Sequence, residues 1–117
     1  MDSSIAVSAS LILVGIAGIG LAIPLLGNKV PRNPLYGFRT KRTLTSDEIW
    51  YPANRLAAKW MLGWGAVNLV VGAATLTMVP YSQKMHWLLM GVPLTIVPIM
   101  VGLMIWVERK FGPARKS

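Results

Sequence analysis

The chain has 117 residues, of which 54% are apolar and only 14% charged. An ordinary soluble domain carries roughly 25% charged residues, so one of this length would lack the polar surface to cover its core; the composition excludes it and implies a lipid solvent. The net charge of +8 would suit nucleic acid in a soluble protein, but beside long apolar stretches it suits anionic headgroups, and no nucleic-acid partner is expected.

From Ile5 to Gly27 there is no charge, and about 20 apolar residues suffice for a helix to cross the hydrocarbon layer. This first span (5–27) has no basic residue before it and is too long for the apolar core of a cleavable signal, so it is expected to be retained. A second span (56–79) carries Lys59 about one turn inside, where the ammonium can snorkel to the headgroups. A third (85–107) contains Pro93 and Pro98, each of which removes a backbone hydrogen bond, and is expected to bend. The fold class is therefore an all-α integral membrane protein of three transmembrane helices, a single domain over residues 1–117.

Eleven of the twelve Lys and Arg fall in the first connection, the start of span two or the tail, and Lys84 alone lies on the other side. By the positive-inside rule the first connection and carboxyl terminus are cytoplasmic and the amino terminus is outside, as in a multi-pass protein of a bacterial inner membrane.

The first connection (28–55) holds most of the local signals. Pro31 and Pro34 force Val30 and Asn33 toward extended backbone, and Gly37 suits a turn with positive φ. Thr45 and Glu48 have the spacing of a capping box, Leu44 and Ile49 that of a hydrophobic staple, and Asp47 with Glu48 complement the positive end of a helix dipole. Ile49, Ala53, Leu56 and Trp60 then recur at helical spacing, while Trp50 and Tyr51 suit the headgroup boundary, so a short interfacial helix is expected along the membrane surface. Pro52 is expected to kink it into span two.

The stretch NPLYGFRTKRTLTSDEIWYPANRLA, Asn33 to Ala57, resembles the signature of the SdpI family of small bacterial membrane proteins. Asn33, Gly37, Arg39, Thr40, Thr43, Leu44, Trp50 and Asn54 fill its positions in order, and the flanking spans agree with the family. The resemblance implies immunity to a secreted toxin peptide and signalling by holding a repressor at the membrane, the roles of the family's best-known member, which is longer and carries further helices ahead of the signature. On it, Asn33, Tyr36, Gly37, Arg39, Thr40, Thr43, Trp50 and Asn54 are the candidate motif or partner-binding residues, with a peptide toxin, a repressor or a larger membrane complex as partner.

Outside the signature, Lys41 and Arg42 read as a topology signal that anionic headgroups reward by roughly 1 kcal/mol each, whereas Arg39 reads as a specific contact. Asn68, midway along span two, reads first as interhelical packing, as do the small-residue pairs Asn68 with Gly72 and Gly18 with Ala22, within the chain or in a homo-oligomer. His86 reads as an interfacial residue, because one imidazole without Cys or nearby carboxylates makes a poor metal or haem site. The sequence shows no nucleophile, base and orienter set, no phosphate loop and no metal motif, so no enzyme activity and no cofactor are expected. Binding remains, either as an immunity-type protein or as an accessory subunit of a larger complex.

Overall fold

The computed structural model describes residues 3–111. Its helices are α1 (Ser3–Leu26), α2 (Asp47–Leu76), α3 (Gln83–Met90) and α4 (Ile96–Phe111), with 3₁₀ turns at Thr43–Thr45 and Pro93–Thr95 and no strand among the described residues. Helix α1, helix α2 and the α3–α4 pair are each long and apolar enough to cross a membrane. The molecule is 59 Å long, against roughly 30 Å for the hydrocarbon layer, so both ends stand in the headgroup zones or beyond.

The buried face of α1 is Ser4, Ser8, Leu11, Gly15, Gly18, Ala22 and Leu25, a strict alternation of four- and three-residue steps. Such a seam keeps one narrow stripe turned toward a partner helix, and α2 answers with Ala58, Gly65, Asn68, Gly72 and Thr75. Because these residues are small, the backbones themselves meet. A Cβ on Gly15 would stand 2.5 Å from the Gly65 carbonyl oxygen, and one on Gly72 would stand 2.7 Å from that of Ser8. The packing role expected for Gly18, Ala22 and Gly72 holds; Gly15 and Gly65, where the helices approach closest, carry it further.

Two local expectations are corrected at the start of α2. The N-cap position is Ser46, in extended backbone and without a side-chain cap bond, and Thr45 instead donates its hydroxyl to the Arg42 carbonyl at 2.6 Å, so no capping box forms. With the cap displaced by one residue, Leu44 and Ile49 no longer hold staple positions. Nor is the interfacial helix a separate element: its residues are the first turns of α2, which runs unbroken through Pro52 for 30 residues. Proline there deprives only the carbonyl of Glu48, an exposed residue in the first turn, of its helical partner.

The third span does bend. After Met90, tight bonds from Val92 N–H to the Leu89 carbonyl and from Leu94 N–H to the Gly91 carbonyl replace the α-helical pattern, and α4 begins after the Pro93–Thr95 turn. Trp64 of α2 donates its indole N–H to the Pro93 carbonyl at 3.2 Å, which ties the bend to the second helix. Beyond it, Leu103 and Val107 of α4 pack with Ala53 and Ala57 of α2 and with Phe38 of the first connection. Phe38 thus takes up the inner face of α2 beyond the point where α1 ends beside Ala58.

Candidate partner-binding site at the basic end

The site is built by the first connection folding back on itself and on α2. Asn33 opens it with an Asx turn: its Oδ1 accepts the N–H groups of Leu35 (2.9 Å) and Tyr36 (2.7 Å), and its Nδ2 donates to the carbonyls of Pro31 (2.8 Å) and Tyr36 (3.1 Å). Every polar position of that amide is used. Arg39 closes the same loop by donating to the Pro34 carbonyl, and the Tyr36 hydroxyl donates to the Leu21 carbonyl at the end of α1.

Gly37 sits at φ 114°, where a side chain is strained, and a Cβ there would meet Asn54 Oδ1 at 2.9 Å and the Trp50 ring at 3.0 Å. That gap lets the chain pass close over α2. Asn54, fully buried, then reads the passing backbone: its Oδ1 accepts the Phe38 N–H at 2.6 Å, while its Nδ2 donates to Trp50 at 3.0 Å and Phe38 at 3.4 Å. Thr43 Oγ1 donates to the Phe38 carbonyl at 3.0 Å and accepts the Thr40 N–H at 2.7 Å, and Thr40 Oγ1 accepts the Thr43 N–H at 3.0 Å. Trp50 is fully buried inside the protein, with its indole N–H donating to the Val30 carbonyl at 2.7 Å.

Asn33, Tyr36, Gly37, Arg39, Thr40, Thr43, Trp50 and Asn54 therefore share one small region. Asn68 stands apart, buried in α2, where its Nδ2 donates to the Trp64 carbonyl at 2.8 Å and its Oδ1 has no protein partner among the described residues. The network turns the polar atoms of the signature inward and leaves the turn from Leu35 to Phe38 lying over a cleft of about 210 Å³. Leu21 and Leu25 of α1, Met61 of α2 and Met100 and Leu103 of α4 form its walls. Leu35 is 84% exposed at the rim, with the exposed Arg39 and Lys41 nearby in the chain.

Several contacts of this end were not foreseen. Arg32 pairs with Asp47 at 2.9 Å and donates to the Leu44 carbonyl, and Arg55 donates to Asn28. Arg42 is more than a topology signal, since it reaches Glu108 of α4 at 3.6 Å. A second polar cluster occupies the opposite end. Ser8 Oγ lies 2.7 Å from Thr75 Oγ1 and 2.8 Å from the Tyr81 hydroxyl, and Tyr81 N–H donates to Ser4 Oγ. His86, expected at the boundary, is 8% exposed, held between Ser3 Oγ (2.9 Å) and the Ser82 carbonyl (3.0 Å). The signal for this cluster was the serine spacing at the head of the α1 seam.

Residues 29–107 match the SdpI/YfhL protein family. The chain belongs to that family. The match takes in the whole signature, α2, α3 and most of α4, so the hydrogen-bonded loop and the α2 and α4 walls of the cleft lie within the SdpI/YfhL segment. No curated protein and no solved structure matches the chain.

Proposed function

We propose that this SdpI/YfhL protein is an immunity-type membrane protein that acts by binding a peptide or protein partner at its basic end, with that end in the cytoplasm. The observation that carries this reading is the use of the signature: its polar atoms are committed to holding one turn, and the turn carries an exposed leucine and basic residues over an apolar cleft. A volume of about 210 Å³ is below the roughly 300–1,000 Å³ of small-molecule sites, so the cleft suits an apolar side chain of a peptide more than a free metabolite. The exposed Arg39 and Lys41 favour acidic groups beside that anchor. Catalysis finds little support. Ser3 and His86 are in contact, but the other ring nitrogen of His86 faces a backbone carbonyl rather than a carboxylate, and the described residues hold no group of three metal ligands.

The test is expression in cells sensitive to a secreted toxin peptide, with Leu35→Asp and Lys41→Ala as variants confined to the exposed rim. The wild-type chain is expected to protect, and both variants to lose protection at unchanged membrane abundance. No protection by the wild type, together with no protein recruited to the membrane, would overturn the reading. One observation favours the alternative of an accessory subunit: the apolar window of the third span is 11% buried, against 28% in each of the others. A stoichiometric large complex surviving mild detergent, and unaffected by either rim variant, would favour that role instead.

A further inference from the structure

The third span meets α2 at the Pro93 bend, through Trp64, and again where Leu103 and Val107 of α4 pack on Ala53 and Ala57. On the outer side the two helices leave a continuous apolar groove. It begins in a hollow of about 380 Å³ beside Gly63, Trp64, Val67 and Thr95. It continues past Trp60 and Ile99 into one of about 430 Å³ walled by Leu56, Pro98 and Trp106. It opens past Gly102 and Trp106 between Arg109 and Lys110. Lys59 stands on its wall.

Three features give this groove a specific chemistry. Lys59, Arg109 and Lys110 are exposed, and the ion pairs among the described residues are Arg32 with Asp47 and Arg42 with Glu108, so these three cations have no carboxylate partner there. Lys110 Nζ lies 5.9 Å from the Trp106 ring, which draws its charge over the mouth. Finally, a Cβ on Gly63 or Gly102 would meet nothing within 4 Å, unlike one on Gly15, Gly65 or Gly72. Glycine within a helix costs roughly 0.5–1 kcal/mol relative to alanine, and here no packing inside the chain offsets it; both glycines keep the groove floor flat.

We propose that the groove is a binding site for one anionic phospholipid of the leaflet at the basic end. Its phosphate is held by Arg109 and Lys110 at the mouth, its glycerol region lies at Trp106, and an acyl chain runs over Gly102 and past Trp60 and Gly63 toward Val67. Charge selects this occupant over a second copy of the chain, since a two-fold interface on this face would bring two sets of the same three cations together.

The test uses the full chain in mild detergent with phosphatidylglycerol or phosphatidylcholine of identical acyl chains, and counts retained lipid by native mass spectrometry. At least a tenfold preference for phosphatidylglycerol is expected. It should vanish in the Arg109→Gln, Lys110→Gln double variant and persist in Lys84→Gln. Gly102→Phe, which obstructs the groove without touching a charge, should reduce retention of both lipids. Equal retention of the two lipids by the wild type, or a preference that survives the double variant, would overturn the proposal. So would disulfide-linked dimer formed in high yield by Gly102→Cys in membranes, which would place a second copy in the groove.

Discussion

Asn54 shows how a single side chain organises the basic end. Its amide bonds to both backbone groups of Phe38, sixteen residues away, and to the Trp50 carbonyl one helical turn back. Replacing it by alanine strands the Phe38 N–H in a buried site, a loss of about 1–3 kcal/mol. Asn54→Ala should therefore lower the unfolding midpoint in detergent while Lys41→Ala, on the exposed face, leaves it unchanged. Gly37→Ala should cost a similar amount, because φ 114° and the Trp50 ring both exclude a methyl group. The turn at Gly37 was legible in the sequence, whereas the proline after Asn33 pointed only to extended backbone and not to its Asx turn. The bonds of Asn54 and Trp50 were not legible either, because their partners are main-chain groups 16 and 20 residues distant and main-chain groups carry no sequence label.

At the scale of elements, length and charge were enough to place three spans, and of the two prolines expected to bend the third, Pro93 stands at the interruption while Pro98 lies inside α4. The capping box misled because a threonine hydroxyl has a competing local acceptor: Thr45 bonds back to Arg42, and Ser46 takes the N-cap position. Of the α1 seam only the pair Gly18 and Ala22 was visible in the sequence, because which residues touch depends on the register of two antiparallel helices, which composition does not set. That register makes a sharp prediction. Gly15→Ala would press a methyl against the Gly65 carbonyl at 2.5 Å and should force the helices apart, lowering stability by roughly 1–3 kcal/mol. Gly20→Ala, on the open side of the same helix, should be neutral or slightly stabilising by comparison. Equal midpoints for the two variants would refute the register.

For the whole molecule, the 59 Å length exceeds the roughly 40–45 Å of bilayer plus headgroups, so the signature loop and the carboxyl end of α4 lie in the headgroup layer or beyond it. Their orientation is read from the charge asymmetry, and the cysteine-free chain offers a clean background for mapping it. In intact cells, Lys84→Cys should react with a membrane-impermeant maleimide and Lys41→Cys only after permeabilisation; the reverse pattern would place the binding end outside. What the family signature does was the least legible property of the sequence. Conspicuous polar residues suggest an exposed recognition surface, whereas folding turns Asn54, Thr43 and Trp50 inward and leaves Leu35 and the nearby basic side chains exposed.

The central claim is that the signature is an internally bonded brace holding the turn over the cleft. Residue-resolved hydrogen exchange at the amides of Phe38, Thr40 and Thr43 tests it most directly. All three should be protected in the wild type, against fast exchange at exposed Arg39 and Lys41, and Phe38 should lose protection in Asn54→Ala while the amides of α1 keep theirs. Wild-type exchange at Phe38, Thr40 and Thr43 as fast as in an unstructured peptide would contradict the account.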